Sequence, residues 1–133
     1  MKIQLSIDYA IRILQYLHTR PGGLSTGATI AQSIGIEYPI FLKIATLLKE
    51  KRLLCSEKGR NGGYYPVLRS NQISIYDVFL AIEGELQISR CLQPDQDYEQ
   101  SPLNACQLHE FYYGMQAWMI DAMKGQKIAD LIR

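Results

Sequence analysis

GIEYPIFLKIATLLKEKRLLCSEKGRNGGYYPV, residues 35–67, is the stretch that decides the architecture. Pro39 suits the first turn of a helix, where its missing N–H leaves nothing unsatisfied. Ile40, Phe41, Ile44, Leu47 and Leu48 recur at intervals of three and four. That period predicts a helix ending near Lys51 with those residues facing inward. The opposite face carries Pro39, Leu42, Lys43, Thr46, Lys49 and Glu50. Leu53-Leu54-Cys55 is a predicted strand, Lys58 to Gly63 the tip of a hairpin, and Tyr64-Tyr65 the returning strand. A phosphate-cradling enzyme loop is disfavoured, because no Gly-Lys-Ser/Thr follows the glycines and no helix opens after them.

Working outward toward the N-terminus, Ser6 is a candidate helix cap. Ile7, Ala10, Ile11, Leu14 and Leu17 form an apolar stripe that stops before Pro21-Gly22-Gly23. Asp8 falls in the first turn, where a carboxylate favours the helix dipole by roughly 0.3–1 kcal/mol. Ser25 or Thr26 caps a short second helix through Ile30, Ala31 and Ile34, and Gly35 closes it. Three helices followed by a glycine-tipped hairpin give the fold class: mainly α with a small β-hairpin wing, a winged helix-turn-helix. In that layout the third helix enters the major groove and the hairpin lies along the backbone beside it.

Charge supports the same division. The formal net charge is only +1, but residues 1–70 hold ten Lys/Arg against four Asp/Glu, and residues 71–133 hold four against nine. A basic front half beside an acidic back half suggests that the front alone meets a polyanion. The length of 133 residues, 47% hydrophobic, suits one domain with a real core. No apolar run is long enough to span a bilayer and Met1-Lys2 opens no secretory signal, so the expected location is cytoplasmic, away from the membrane. Three cysteines, an odd number, favour free thiols, metal ligation or redox chemistry over a disulfide framework. Cys55, on a wing strand, is expected to be a small core residue. His18, near a helix C-terminus, suits the dipole there and is given no ligand role.

Beyond the wing, which ends at Pro66, Ser74 and Asp77 form a capping-box pattern. It opens a helix with Ile75, Val78, Phe79 and Ile82 inward and Gly84 as its stop. Residues 85–101 lose all periodicity, are acidic and hold Cys91; loops of that length are commonly functional. Ser101-Pro102 begins a long helix with Leu108, Phe111, Tyr112, Met115, Trp118, Met119 and Ala122, apolar on two sides. One side is expected to cover the domain. The other, with Phe111, Met115, Trp118 and Ala122, is expected to meet a second copy of the chain. Gly125 breaks this helix, and Ile128 to Ile132 makes a last turn. The expected organisation is a DNA-binding domain over 1–84, a sensor loop over 85–101, and a dimerisation helix with its tail over 102–133.

This order of elements resembles the Rrf-two family of bacterial winged-helix regulators, which includes cluster sensors of the IscR and NsrR kind. The matching residues are Asp8-Tyr9-Ala10-Ile11-Arg12, Lys43-Ile44 with Leu48, and Gly59-Arg60-Asn61-Gly62-Gly63-Tyr64. Ile75-Tyr76-Asp77-Val78 and Ala81-Ile82-Glu83-Gly84 match the fourth helix, Cys91 follows at the family spacing, and Cys106-Gln107-Leu108-His109 opens the long helix. The resemblance implies a homodimer with crossed long helices, whose wings read a palindromic operator in double-stranded DNA. Two departures stand out. Lys58 occupies a position where the family often has Arg, which loses a bidentate fork, and Asn61 one where it often has Gly. Fourteen residues separate Cys91 from Cys106 with no cysteine between them, so the three-cysteine set of many cluster-binding members is excluded.

The resemblance further implies a four-point site across the dimer interface, formed by Cys91, Cys106, His109 and Asp8 of the partner subunit. Imidazole can replace thiolate on an iron–sulfur cluster, and Cys106 and His109, three apart, share a helix face. The implied cofactor is a [2Fe–2S] cluster sensing redox, nitric oxide or iron–sulfur status. A reversible Cys91–Cys106 disulfide, or regulation through a partner protein without metal, stays open. A thiol oxidoreductase is disfavoured: the chain has no Cys-x-x-Cys and only two histidines, and no enzymatic role is expected.

For DNA, Lys43 is the candidate for base edges, flanked by Tyr38, Pro39 and Thr46. Leu42 suits a thymine methyl. Lys58, Arg60, Asn61 and Gly62 would hold phosphates or the adjacent minor groove. Ser25 and Thr26 would each take a phosphate at the start of the second helix.

Overall fold

In a computed structural model, residues 5–20, 24–67, 69–88 and 105–132 are described, with the backbone alone at 105 and 106. Three helices come first: α1 (Leu5–His18), α2 (Gly27–Ile34) and α3 (Tyr38–Glu50). A hairpin of β1 (Leu54–Glu57) and β2 (Gly63–Pro66) follows, then a 3-10 turn at Ser70–Gln72 and α4 (Ile75–Glu83). The long helix α5 (Ala105–Gly125) and a 3-10 turn at Ile128–Leu131 complete the order. The mainly helical fold with one antiparallel hairpin agrees with the sequence reading.

One core serves all of these elements. Ile7, Ala10, Ile13, Leu14 and Leu17 of α1 meet Ile30 and Ala31 of α2, Phe41, Ile44, Ala45 and Leu48 of α3, and Val78, Phe79 and Ala81 of α4. Each large apolar side chain buried there contributes about 1.5–3 kcal/mol. Three expectations about the helices and one about the hairpin need correction. Ser6 lies within the first turn of α1, since the helix already includes Leu5. Ile40, placed on the inward stripe, is 41% exposed, and Ala45 takes the inward position instead. Ile11 is only half-buried, whereas Ile13 is fully buried. The first strand starts at Leu54, one residue later than expected, because Leu53 still belongs to the turn that ends α3.

That turn has a recognisable stop. The N–H of Leu53 donates to the Leu48 carbonyl and that of Arg52 to the Lys49 carbonyl, both at 3.0 Å. Arg52 has φ 59°, so it occupies the left-handed position of a Schellman motif, usually held by glycine. Leu48 and Leu53, both buried, supply the apolar contact that accompanies the motif. Gly35 ends α2 with φ 77° and donates to the Ala31 carbonyl at 3.0 Å.

The hairpin pairs Leu54 with Pro66, Cys55 with Tyr65, Ser56 with Tyr64 and Glu57 with Gly63. Cys55 is half-buried at this register rather than part of the core, because a two-stranded sheet has no second layer over its outer face. Ser74 caps α4 by accepting from the Asp77 N–H at 3.1 Å, and the Asp77 carboxylate accepts from the Ser74 N–H at 2.9 Å, the expected capping box. Gly84 stops α4.

The long helix lies on α4 through Met119, Ile120 and Met123, which pack against the core. Lys124 Nζ sits 5.2 Å from the Tyr76 ring centroid, a cation–π contact between the two helices. The chain then returns to the front of the domain. Ile128 donates to the Ile73 carbonyl at 2.9 Å and is fully buried, and Gln15 Nε2 donates to the Leu131 carbonyl at 3.0 Å. The proposed start of the long helix at Ser101-Pro102 lies outside the described residues. Among the described residues no helix is long and apolar enough to cross a membrane.

Candidate nucleic-acid interface and sensor region

Helix α3 presents one face to its own domain and the other to solvent. Phe41, Ile44, Ala45 and Leu48 are buried, while Tyr38, Pro39, Leu42, Lys43 and Thr46 are exposed. The Thr46 hydroxyl donates to the Leu42 carbonyl at 2.8 Å, which leaves its methyl and its lone pairs toward solvent. The exposed face therefore offers one ammonium at Lys43 beside apolar surface from Leu42, which is 39% exposed. A major-groove edge with acceptors and thymine methyls is complementary to such a surface.

At the tip of the hairpin, the Gly62 N–H donates to the Gly59 carbonyl at 3.0 Å. Arg60 and Asn61 are thus the two central residues of a four-residue turn, and both are exposed, as is Lys58. Gly59 has φ 108°, a value that favours glycine. A Cβ on Gly62 would collide with the Glu57 carbonyl oxygen, so the tight return of the chain requires glycine there. Two cationic side chains on a narrow, exposed tip are suited to meeting phosphates.

Backbone pairing holds the hairpin against α2. Ser25 donates to the Tyr64 carbonyl at 3.0 Å and accepts from the Tyr64 N–H at 2.7 Å. Ser25 is therefore tied to the wing by its backbone, and the cap of α2 is Thr26, whose Oγ1 accepts from the Thr29 N–H at 3.2 Å. The same hydroxyl donates to Thr29 Oγ1 at 2.7 Å. Its proton is engaged, and the N–H groups of Gly27 and Ala28, which have no acceptor within their own helix, are the donors this terminus can turn toward an anion. Thr29 was not foreseen; only its position three residues after a capping residue signals it.

Tyr64 lies at the join. Its ring meets Phe41 edge-on, with centroids 5.1 Å apart at 88°, and Phe41 stacks with Tyr38 at 6.2 Å and 16°. Burial, and then the neighbouring Tyr38, push the Tyr64 phenol above the ordinary tyrosine value of 10.0. Beside it, the charge and then the hydrogen bond of the Cys55 thiol raise Tyr65. The alternation of residues in the strand pointed to neither effect.

Of the anticipated cluster ligands, Cys91 and the Cys106 side chain lie outside the described residues. Asp8 is exposed on the first turn of α1. His109 is half-exposed on α5 and stacks with Tyr113 at 6.4 Å and 22°. Among the described residues no group of three or more His, Cys, Asp or Glu is placed to hold a metal within one chain. Gln116 Oε1 accepts from the Ile88 N–H at 3.0 Å, so α5 grips the segment that leads toward Cys91. His18 Nδ1 lies 2.7 Å from the Leu14 carbonyl. A carbonyl can only accept, so Nδ1 carries the proton.

The outward flank of α5 is apolar and bare, with Trp118 at 72% and Phe111 at 60% exposure, and Met115 and Ala122 are also exposed. These positions fall on one stripe at intervals of three and four.

Comparison with known proteins agrees with this architecture. The chain is 27% identical to the HTH-type transcriptional regulator NsrR of Shouchella clausii, across 99% of this chain and 89% of that one. The fold superposes on CymR, the global cysteine regulator of B. subtilis, with a TM-score of 0.76 at 18% identity, covering 98% of this chain and 95% of the other. It superposes on T. potens IscR with a TM-score of 0.74, also at 18% identity, covering 98% and 85%. Residues 3–133 match Rrf2, described as an iron-dependent transcriptional regulator, and the chain belongs to the Rrf2 family of transcriptional regulators.

Proposed function

We propose that the protein is a homodimeric regulator that binds a palindromic operator in double-stranded DNA and reports redox, nitric oxide or iron–sulfur status through a cysteine-ligated cluster. One observation supports the DNA contact above the others: Lys43 on the solvent face of α3 and Arg60 at the hairpin tip belong to elements joined directly by the Tyr64 ring packing edge-on against Phe41. In this reading Lys43, with Tyr38, Pro39, Leu42 and Thr46, meets base edges. Lys58, Arg60, Asn61 and Gly62, with Ser25 and Thr26, meet phosphates. Residues 1–84 form the DNA-binding unit, 85–101 the sensor loop, and 102–133 the dimerisation helix and its tail. Phe111, Met115, Trp118 and Ala122 would be covered by a second copy.

The donor set suits an iron–sulfur centre, and the iron-dependent description of the family points the same way. Thiolates of Cys91 and Cys106 match the softness of iron–sulfur chemistry, and the imidazole of His109 is an accepted replacement for a third. Asp8 of the partner subunit would complete the set. A [2Fe–2S] cluster held there would supply one-electron redox chemistry. The protein's own part is transmission. The Gln116–Ile88 hydrogen bond and the Lys124–Tyr76 contact join α5, the approach to Cys91 and α4. A change at Cys91 or Cys106 would thereby bias the spacing of the two wings.

Iron and acid-labile sulfide per chain, measured with the visible spectrum of anaerobically purified protein, test the sensor. Cys91→Ala and Cys106→Ala are each expected to abolish iron binding, with Asp8→Ala and His109→Ala weakening it. Full iron occupancy in either cysteine variant would refute the site. Iron-free wild type would favour the reversible Cys91–Cys106 disulfide.

A further inference from the structure

Helix α2, helix α3 and the hairpin meet at a glycine surrounded by rings. A Cβ on Gly27 would lie 2.8 Å from Phe41 Cε1, 3.0 Å from Tyr38 Cε2 and 3.2 Å from Tyr64 Cε2. Even a methyl group would have to displace rings that are already packed together. The backbone is equally close. A Cβ on Gly63 would stand 2.5 Å from the Ser25 carbonyl oxygen, across the same bridge that pairs Ser25 with Tyr64. Tyr64 thus joins the hairpin to α2 by its backbone and to α3 by its ring.

We propose that Tyr64, seated over Gly27, is a positioning residue that fixes the wing relative to α3 and so sets discrimination between specific and non-specific DNA. The proposal rests on the DNA-binding reading and deepens it. Base readout requires the α3 side chains to reach particular base edges while the wing holds the backbone. Phosphate contact alone tolerates a wing that swings, because the charge pattern of a duplex repeats along its length. Loosening this joint therefore costs discrimination more than it costs overall affinity. The hydroxyl of Tyr64 is dispensable in this scheme, and the flat ring edge against Phe41 is not.

The test uses the full chain as wild type, Tyr64→Phe, Tyr64→Leu and Gly27→Ala. Affinity is measured for a duplex selected by the wild type from a random pool and for a scrambled duplex of equal length, across a salt series. Circular dichroism establishes that each variant is folded. Tyr64→Phe is expected to keep the ratio of the two affinities. Tyr64→Leu and Gly27→Ala are expected to lower it about tenfold or more, equivalent to about 1.4 kcal/mol, with scrambled-duplex affinity and salt slope held. Gly27→Ala carries the test if Tyr64→Leu does not fold. An unchanged ratio in a folded Tyr64→Leu or Gly27→Ala variant, an equal fall on both duplexes, or loss of the ratio in Tyr64→Phe would overturn the proposal. A wild type that selects no duplex would instead remove the DNA-binding reading, and this proposal with it.

Discussion

The Ile75 N–H donates to the Gln126 carbonyl at 2.9 Å, fastening the first turn of α4 to the chain just beyond α5. Ser74 and Lys127 form a bridge at the same place. The long helix is consequently attached to the front domain at its C-terminal end as well as along its length. A displacement of α5 against a partner would be carried into α4, and α4 packs on α3.

Ile128 anchors that attachment, since it is fully buried and its N–H is bonded to Ile73. Ile128→Ala is expected to destabilise the fold by about 2–5 kcal/mol, the usual cost of a large-to-small change in a packed site. Urea unfolding checks this, and an unchanged midpoint would show that the tail is not part of the core.

Arg52 invites the opposite change. At φ 59° its Cβ crowds the backbone, whereas glycine takes that conformation without strain. Arg52→Gly is expected to stabilise the protein by about 1 kcal/mol, seen as a higher midpoint in thermal unfolding. A lower midpoint would mean that the arginine side chain makes contacts worth more than the strain.

Alkaline unfolding should report Tyr64. Its phenol is raised above 10.0 in the folded state, by burial first and Tyr38 second. The folded protein therefore holds this proton more tightly than the unfolded chain. The associated stability is complete below the unfolded value and is lost as pH rises through the folded one. Thermal midpoints are expected to fall above about pH 10, and less steeply in Tyr64→Phe. Identical slopes in the two proteins would contradict the assignment.

Trp118 should report assembly. Its ring stands exposed on the bare apolar flank of α5, and a carboxylate there would be buried unpaired in a two-fold interface. Trp118→Glu is expected to convert a dimer to monomer or to insoluble protein in sedimentation velocity. A soluble wild-type monomer at micromolar concentration would contradict dimerisation through this face.

Much of the fold was legible because its signals are local. The period of three and four in α3, the Ser74–Asp77 capping box, and the stops at Gly35 and Gly84 each act within one turn of helix. The buried edges of α1 and α3, with Ile13 inward in place of Ile11 and Ala45 in place of Ile40, are not legible because a broad apolar stripe does not reveal which edge the rest of the core covers. Leu53 was drawn into the strand because a Schellman turn centred on an arginine lacks the usual glycine signal. The outward face of α3 and the exposed tip at Lys58, Arg60 and Asn61 were readable from charge and turn chemistry. The Ser25–Tyr64 bridge and the rings around Gly27 were not, since they join residues distant in sequence through backbone pairing and close packing.

The most direct test of the DNA-binding surface is the salt dependence of duplex affinity for the wild type and for Lys58→Ala/Arg60→Ala, followed by fluorescence anisotropy. Each phosphate contact contributes about 0.9 to the slope of log K against log salt. With both side chains on phosphates, the double variant is expected to bind every duplex more weakly and to lose about 1.8 from that slope. Unchanged affinity and an unchanged slope would show that the hairpin does not touch DNA.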